Sequence, residues 1–235
     1  MHLLVTRPGT EAERTADILR ARGHVVTVAP VLKVETIADA GFGAGPYAAI
    51  VMTSANAARV IAGHERRAEL LRLPVFTVGR HTAEAVRAAG LDDVISADGG
   101  APELVRLIAA KLQGSGASVL YFAAQERSSD LAGALKPYGI AVETVVVYRT
   151  VPSPGLAQDL RAVLDDGLDG VLHYSRRSAQ TFLIGAGTAG VLDAAVGLTH
   201  YCLSSEVAAP LRAAGAGAVK VAPRPDEAAL IGLVG

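Results

Sequence analysis

The sequence predicts an α/β protein of two parallel-sheet lobes that arose from an internal duplication. Three observations lead there. Short apolar runs alternate with helix-patterned stretches along the whole chain, the arrangement that gives parallel sheets covered on both faces. The second half repeats the order of the first. Finally, the run VVVYRTVP, Val145 to Pro152, stays apolar up to a tyrosine and an arginine and ends in a proline. Val145, Val146, Val147 and Tyr148 favour a strand buried on both faces. The stretch reads as a hinge between two lobes, with Tyr148 facing the cleft between them.

Taken in order, Leu3 to Thr6 is a strand closed by the turn Arg7-Pro8-Gly9. Ala12, Ala16, Ile18 and Leu19 lie at helical spacing within Glu11 to Arg22, and Gly23 stops that helix. Val25 to Val31 reads as a strand, with Val34 to Ile37 as a continuation, followed by a Gly-rich loop from Ala40 to Pro46. Tyr47 to Thr53 is a buried strand, and Ser54 stands at its carboxyl end before a helix from Ala57. Val75 to Val78 leads through Gly79 into a helix ending at Ala89, closed by Gly90. Val94 to Ser96 is a short strand, and Pro102-Glu103 opens a helix to Leu112.

The second half runs the same way. Val119 to Phe122 is a strand, Ser129 to Leu135 a helix stopped at Gly139, and Val142 to Thr150 a strand. Sliding the chain to lay Gly139 on Gly23 also lays Leu135 on Leu19, Leu120 on Leu4 and Val147 on Val31. Farther on, Ser175 answers Ser54, Leu203-Ser204 answers Val78-Gly79, LRAAG at Leu211 answers VRAAG at Val86, and Pro225-Asp226 answers Pro102-Glu103. The duplication pairs VVVYRTVP with Pro30 to Glu35, so the hinge should have two strands.

Composition narrows the function classes. At 235 residues, 51% hydrophobic but 4% aromatic with no tryptophan, the core must be Ala, Val, Leu and Ile. A formal net charge of −1 leaves no electrostatic footprint for nucleic acid. The single Cys202 forms no intramolecular disulfide and fits a reducing compartment. MHLLVTRPGTEAER turns polar too soon for a signal peptide, and no apolar run reaches the roughly 18 residues of a membrane span. The expectation is a cytoplasmic protein without membrane or nucleic-acid partners.

The motifs also exclude chemistry. The six histidines lie far apart, without metal-ligand spacing, and there is no phosphate-binding P-loop or G-x-S-x-G elbow. A G-x-G-x-x-G string at Gly185 to Gly190 follows a helix, Ser178 to Ile184, rather than a strand, and reads as a helix-ending loop. Asp39, Asp165, Asp166 and Asp169 fall in loops and form no carboxylate pair. What remains are hydroxyls and arginines beyond strand carboxyl ends, where parallel sheets bind ligands. These are Arg7, Ser54, Thr82, the loop Ala124 to Ser128 with Arg127, Ser175, Arg176, Arg177 and Ser204. Each hydroxyl taken singly reads first as a helix cap, and each arginine also as a solvated side chain. Helix starts and arginines around one cleft would nonetheless bind a polyanion without a strongly basic sequence.

LLVTRP (Leu3 to Pro8), VMTSANA (Val51 to Ala57), TVGRHTAEAVRAAGL (Thr77 to Leu91), VVVYRT (Val145 to Thr150) and PDEAAL (Pro225 to Leu230) together resemble the uroporphyrinogen-III synthase family. The resemblance implies a lyase that closes hydroxymethylbilane, a linear tetrapyrrole with eight carboxylates, into uroporphyrinogen III, losing water and inverting the last ring. It implies no cofactor, no metal and a monomer. It also implies two flavodoxin-like lobes, residues 1–35 with 152–235 and residues 38–148, joined by a two-stranded connector near 32–37 and 148–152. Tyr148 falls on the family's cleft tyrosine, which assists departure of the hydroxyl, Thr82 on its threonine and Ser54 on its strand-end serine. The second such turn reads Cys202-Leu203-Ser204-Ser205-Glu206-Val207, without the family's glycine or threonine, so Ser204 or Ser205 would supply the hydroxyl. The Gly-rich loop expected near Ala123 leaves only Arg127 matched. Because of these departures, a non-catalytic two-lobed relative that binds a tetrapyrrole or small anion stands as the alternative. A periplasmic solute binder is disfavoured by the missing export signal.

Overall fold

Runs of four or five Val, Leu and Ile residues are too short for a helix but suit a strand covered on both faces, and they set the frame of both halves. The structure is a computed structural model that describes residues 1–37, 40–127 and 129–235. Its elements are β1 (His2–Val5), α1 (Thr10–Ala21), β2 (Val25–Val28), β3 (Leu32–Thr36), β4 (Ala49–Met52), α2 (Ala55–Ala62), α3 (Arg67–Leu70), β5 (Val75–Thr77), α4 (Arg80–Ala88), β6 (Val94–Ser96) and α5 (Ala101–Leu112). There follow β7 (Ser118–Ala124), α6 (Leu131–Leu135), β8 (Ala141–Pro152), α7 (Leu156–Asp165), β9 (Gly170–His173), α8 (Arg176–Thr188), α9 (Leu192–Val196), β10 (Thr199–Cys202), α10 (Ser205–Ala213), β11 (Ala218–Val221) and α11 (Glu227–Ile231). The chain divides into a unit of Met1–Lys33 with Val151–Gly235 and a unit of Val34–Thr150.

In the first unit the described strands form a five-stranded sheet, β11-β10-β9-β1-β2, with every ladder parallel. Read from β2, the strands stand second, first, third, fourth, fifth, the flavodoxin order. Successive residues of β1 serve opposite faces. Leu3 and Val5 pack with Leu172 and Tyr201 against Ala12, Ala16 and Leu19 of α1 and Leu230 and Ile231 of α11. Leu4 packs with Val171 against Leu156 and Leu160 of α7 and Phe182 of α8.

The second unit has the sheet β3-β8-β7-β4-β5-β6. From β8 to β6 this is the same order, except that the first two strands arrive last in the chain. Each unit therefore takes its β-α-β from one half of the duplication and its remaining three strands from the other. Ile50, Met52, Leu120, Phe122, Val145 and Val147 face Ala57, Ile61 and Val86, while Ala49, Val51, Phe76, Val119 and Tyr121 face Leu104, Ile108 and Leu135.

Four expectations change. The strand from Val25 stops at Val28, and the stretch after Pro30 does not continue it: β3 starts the edge of the other sheet. VVVYRTVP stays strand to Pro152, because β3 pairs with β8. The Ile37 N–H donates to Val147 O and the Ser153 N–H to Val31 O, so numbers rise along one strand as they fall along the other, an antiparallel pair. Glu35 and Arg149 sit opposite one another on it as an ion pair at 3.1 Å. Gly185, Gly187 and Thr188 belong to α8 rather than to a loop. A Cβ on Gly185 would come within 2.9 Å of Leu156 and Leu160, so this glycine serves close packing of α8 on α7. Only Gly190, at φ 70°, makes the left-handed turn. Lastly, α3, α7 and α9 add to the repeat, and α2 begins at Ala55, two residues early.

One polar feature lies inside the first unit. His173 of β9 and His200 of β10 are fully buried, with Nε2 and Nδ1 3.0 Å apart and the Phe182 ring against both. His173 Nδ1 and His200 Nε2 have no hydrogen-bond partner among the described residues. Burial holds both imidazoles below their usual range, His200 at about 4, and the His200 ring lowers His173 further. A weak approach of the Ala195 carbonyl to His200 opposes this but is too poor in geometry to count as a bond. A base with a lowered folded value stabilises the fold fully above its unfolded value, near 6.5, and loses that contribution as pH falls toward the folded one. Chemical denaturation should therefore show stability declining between pH 6.5 and 5, by up to about 1.4 kcal/mol per pH unit for each imidazole. His200→Gln should make that slope shallower.

Candidate active site

The chemistry-bearing side chains gather beyond the carboxyl ends of the strands, and a local irregularity places the most important of them. Along β7 and β8 the register runs Phe122↔Val145 and Ala123↔Val146, then jumps to Ala124↔Tyr148. Val147 is the extra residue of a β-bulge, which re-aims the side chain that follows. Without the bulge Tyr148 would face the side opposite Val147, but both pack in the same cluster. The consecutive burial of Val147 and Tyr148 thus comes from the bulge, and Val146 is only half-buried.

The Tyr148 ring is 7% exposed. Its hydroxyl lies with the side chains of Ser54 and Asn56 at the start of α2. Burial, the largest influence, raises the phenol above its ordinary value of 10; the nearby side chains of Ser54 and Asn56 lower it, while Tyr121 and Glu126 raise it. A phenol so held stays protonated at neutral pH and is a hydrogen-bond donor or acid rather than a base. Ser54 also caps α2, accepting from the Asn56 N–H at 3.2 Å. Arg59 Nη1 donates to Asn56 Oδ1 at 2.8 Å. Beside them Thr53 Oγ1 and the Tyr121 hydroxyl are 3.0 Å apart. Asn56, Arg59, Thr53 and Tyr121 are absent from the sequence-based candidates. Asn56 was legible as the residue two beyond a strand-end serine, whereas the Tyr121 hydroxyl belongs to a strand residue with no such marker.

Of the other candidates in this unit, Thr82 does not cap a helix. The N-cap of α4 is Gly79, and Thr82 lies in the first helical turn at 6% exposure. The equivalent position of α10 is Val207, also buried. A threonine therefore stands where its duplicate keeps an apolar side chain. Arg127 is exposed, with Nη1 bonded to the Ala124 carbonyl at 3.1 Å. Asp39 and Ser128 lie outside the described residues.

In the first unit, Ser175 caps α8, accepting from the Ser178 N–H at 3.0 Å, and Ser204 caps α10, accepting from the Val207 N–H at 3.4 Å. Ser205 and Arg176 are the exposed first residues of these helices. The hydroxyls thus act as caps, each worth about 1 kcal/mol, at strand-to-helix turns. Arg7 is less available than its position suggests. Its guanidinium stacks over Tyr174 at 4.3 Å and is paired with Glu11 and, at 2.9 Å, with Glu227. Glu227 also takes bonds from Arg14 and, at 2.5 Å, from Thr15. This cluster ties α1 to α11, and sequence reading missed it because Glu227 lies 220 positions from Arg7.

Two units of flavodoxin strand order, one of them with a buried phenol beside polar side chains at its strand carboxyl ends, define a two-unit α/β protein. The family described as uroporphyrinogen-III synthase HemD matches residues 13–232, and the chain belongs to that family, whose members are lyases of tetrapyrrole synthesis. Among solved structures it resembles uroporphyrinogen-III synthetase from Helicobacter pylori 26695, with a TM-score of 0.70 and 17% identity over 100% of this chain and 98% of that one. A mutant uroporphyrinogen III synthase from the extremely thermophilic bacterium Thermus thermophilus matches at a TM-score of 0.53 and 18% identity, covering 100% and 98%. At these identities the likeness is one of fold. Among the described residues no helix is long and apolar enough to cross a membrane.

The Glu227 cluster yields a stability test. Burial alone would raise this carboxyl; bonds from Thr15 and Arg14 and the charges of Arg7 and Arg14 outweigh it and lower it. A carboxylate with a lowered folded value stabilises above its unfolded value, about 4.5, and loses that contribution as pH falls through the folded one. Glu227→Gln should cost about 1 to 2 kcal/mol in denaturant unfolding at pH 7, and the deficit should shrink toward pH 3.

Proposed function

We propose that this chain performs its family's reaction with Tyr148 as the proton donor. Hydroxymethylbilane is closed into uroporphyrinogen III with loss of one water and inversion of the last ring. The observation that carries this reading is the bulge-set phenol of Tyr148, protonated at neutral pH and gathered with Ser54 and Asn56 at the carboxyl end of β4. As the terminal C–O bond breaks, its electron pair stays on oxygen, the phenol proton completes the water, and the pyrrole nitrogen lone pair supports the cationic carbon. The new C–C bond forms at the substituted carbon of the last ring; the bond from that carbon to the neighbouring ring's methylene then breaks, the freed methylene carbon is captured by the last ring's unsubstituted α-carbon, and the proton that this carbon sheds returns to Tyr148.

Free substrate closes spontaneously without inversion, so the protein's larger contribution is to hold a folded-back geometry, which can supply several kcal/mol. Eight carboxylates need many donors. In this reading Ser54, Thr82 and Arg127 of one unit and Ser175, Arg176, Ser204 and Ser205 of the other supply them, with help from backbone N–H groups at the helix starts. Arg7 joins them by exchanging Glu227 or Glu11 for a substrate carboxylate. The protein acts as a cytoplasmic monomer without cofactor, metal or nucleic-acid partner, and residues 32–37 and 148–152 are the connectors between residues 1–35 with 152–235 and residues 38–148.

The test is Tyr148→Phe, which keeps the ring and removes the hydroxyl. The rate of isomer III formation at saturating substrate should fall about tenfold to a hundredfold. Full activity would reduce Tyr148 to a packing residue.

A further inference from the structure

The two units differ in the space between the helices that follow their third and fourth strands. In the second unit α2 and α4 leave a cleft of about 460 Å³, within the size range of small-molecule sites. Its floor is alanine, Ala62 of α2 with Ala85 and Ala89 of α4, and its polar lining is Arg59, His81 and Glu84. In the first unit α8 and α10 pack in the same relation. Laying Ser175 on Ser54 puts Leu183 on Ala62 and Gln180 on Arg59. Laying LRAAG on VRAAG puts Pro210 on Ala85, Glu206 on His81 and Ala209 on Glu84. Leu183 packs there with Ala179, Val207 and Leu211. The bulk that fills the first unit is thus cut back to methyl groups in the second. An arginine and a histidine stand where the duplicate has a glutamine and an acid. The fold itself does not demand the cleft.

Arg59 is set for an anion. Its Nη1 donates to Asn56 Oδ1 at 2.8 Å, which draws the guanidinium back over the first turn of α2, the turn that Ser54 caps at the end of β4. Parallel sheets bind ligands at that end of their strands. Arg7, Arg66 and Arg80 are ion-paired, whereas Arg59 has no acidic partner among the described residues. Its Nε and Nη2 remain as the planar edge that matches a carboxylate. Glu84, one turn beyond His81 on α4, repels an anion in the same space. The carboxylate therefore belongs at the Arg59 end, with the alanine floor taking the carbon chain that bears it. We propose that the α2–α4 cleft binds one carboxylate-bearing arm of the substrate, with Arg59 as its ionic anchor. This rests on the substrate given above, and it adds a binding residue that lies outside every sequence-based candidate.

Hydroxymethylbilane closes spontaneously, so uroporphyrin I, a stable cyclic tetrapyrrole that also bears eight carboxylates, serves as the binding probe, followed by its fluorescence. Arg59→Leu should weaken uroporphyrin I binding and raise KM for isomer III formation, each about fivefold, with kcat little changed. Arg59→Lys, which keeps the charge without the planar fork, should fall between the parent and Arg59→Leu. Glu84→Gln should act in the opposite sense and tighten binding about twofold. Arg106→Leu removes an exposed arginine of α5, on the other face of the sheet, and should change neither quantity. Unchanged uroporphyrin I binding in Arg59→Leu would overturn the proposal. So would binding that Glu84→Gln leaves equal or weaker, and this variant decides alone should Arg59→Leu fail to fold. If the chain made no isomer III, the reaction given above would fail on that result, and the uroporphyrin I titrations would still judge the cleft on their own.

Discussion

The fold depends on two parallel ladders, β1 with β9 in one unit and β4 with β7 in the other. Each joins a β-α-β from one half of the duplication to the three-stranded portion of the other half. Each half divides its five strands between the two units, so each unit is completed by a pairing of residues far apart in sequence. Leu3↔Gly170 and Ile50↔Leu120 are examples. Such contacts must recover the entropy of closing long loops, and the means is burial. Leu4, Val5, Val51 and Val119 in these strands are fully enclosed, and each buried side chain of this kind is worth about 1.5 to 3 kcal/mol. Thr6 adds a side-chain bond to the Leu172 carbonyl at 2.7 Å, stitching the end of β1 to β9. In the flavodoxin order these ladders are also where the strand order reverses, so the carboxyl ends that carry Arg7, Ser175 and Ser54 open onto the usual ligand position of each sheet.

On that scaffold the bulge at Val147 sets which face of the sheet Tyr148 joins. A regular strand would alternate Val147 and Tyr148 between faces and bury the phenol against α5 and α6. One extra residue turns it toward Ser54 and Asn56 instead. The arrangement is economical in charge. The side chains beside the phenol are a cap hydroxyl and an amide, and Arg59 bonds the amide's oxygen.

The strand–helix alternation was legible because composition and spacing are local. Leu3 to Thr6, Val94 to Ser96 and the helix to Leu112 need only nearby residues. The duplication was legible for the same reason, since Gly23 and Gly139 both end a helix and adopt positive φ of 85° and 70°. What escaped depends on register or on distant partners. The continuation of β8 to Pro152 needs β3 beside it. Gly185 of α8 has its reason in Leu156 and Leu160. The re-aiming of Tyr148 is a one-residue offset between β7 and β8, which no pattern within VVVYRTVP records. At the candidate site, Ser54 could be read from its place after a strand, but its service to Tyr148 depends on the bulge. Arg7 marked a strand end correctly while its partner Glu227 lay near the far end of the chain. Thr82, expected at a helix boundary, proved to lie within the first turn, where Val207 fills the same position in the duplicate.

Ring closure with inversion is the activity that everything above serves. Freshly prepared hydroxymethylbilane, incubated with the protein and resolved into product isomers after oxidation, tests it most directly. Isomer III, formed faster than the spontaneous closure, is the expected product. Isomer I alone, at the spontaneous rate, would contradict it.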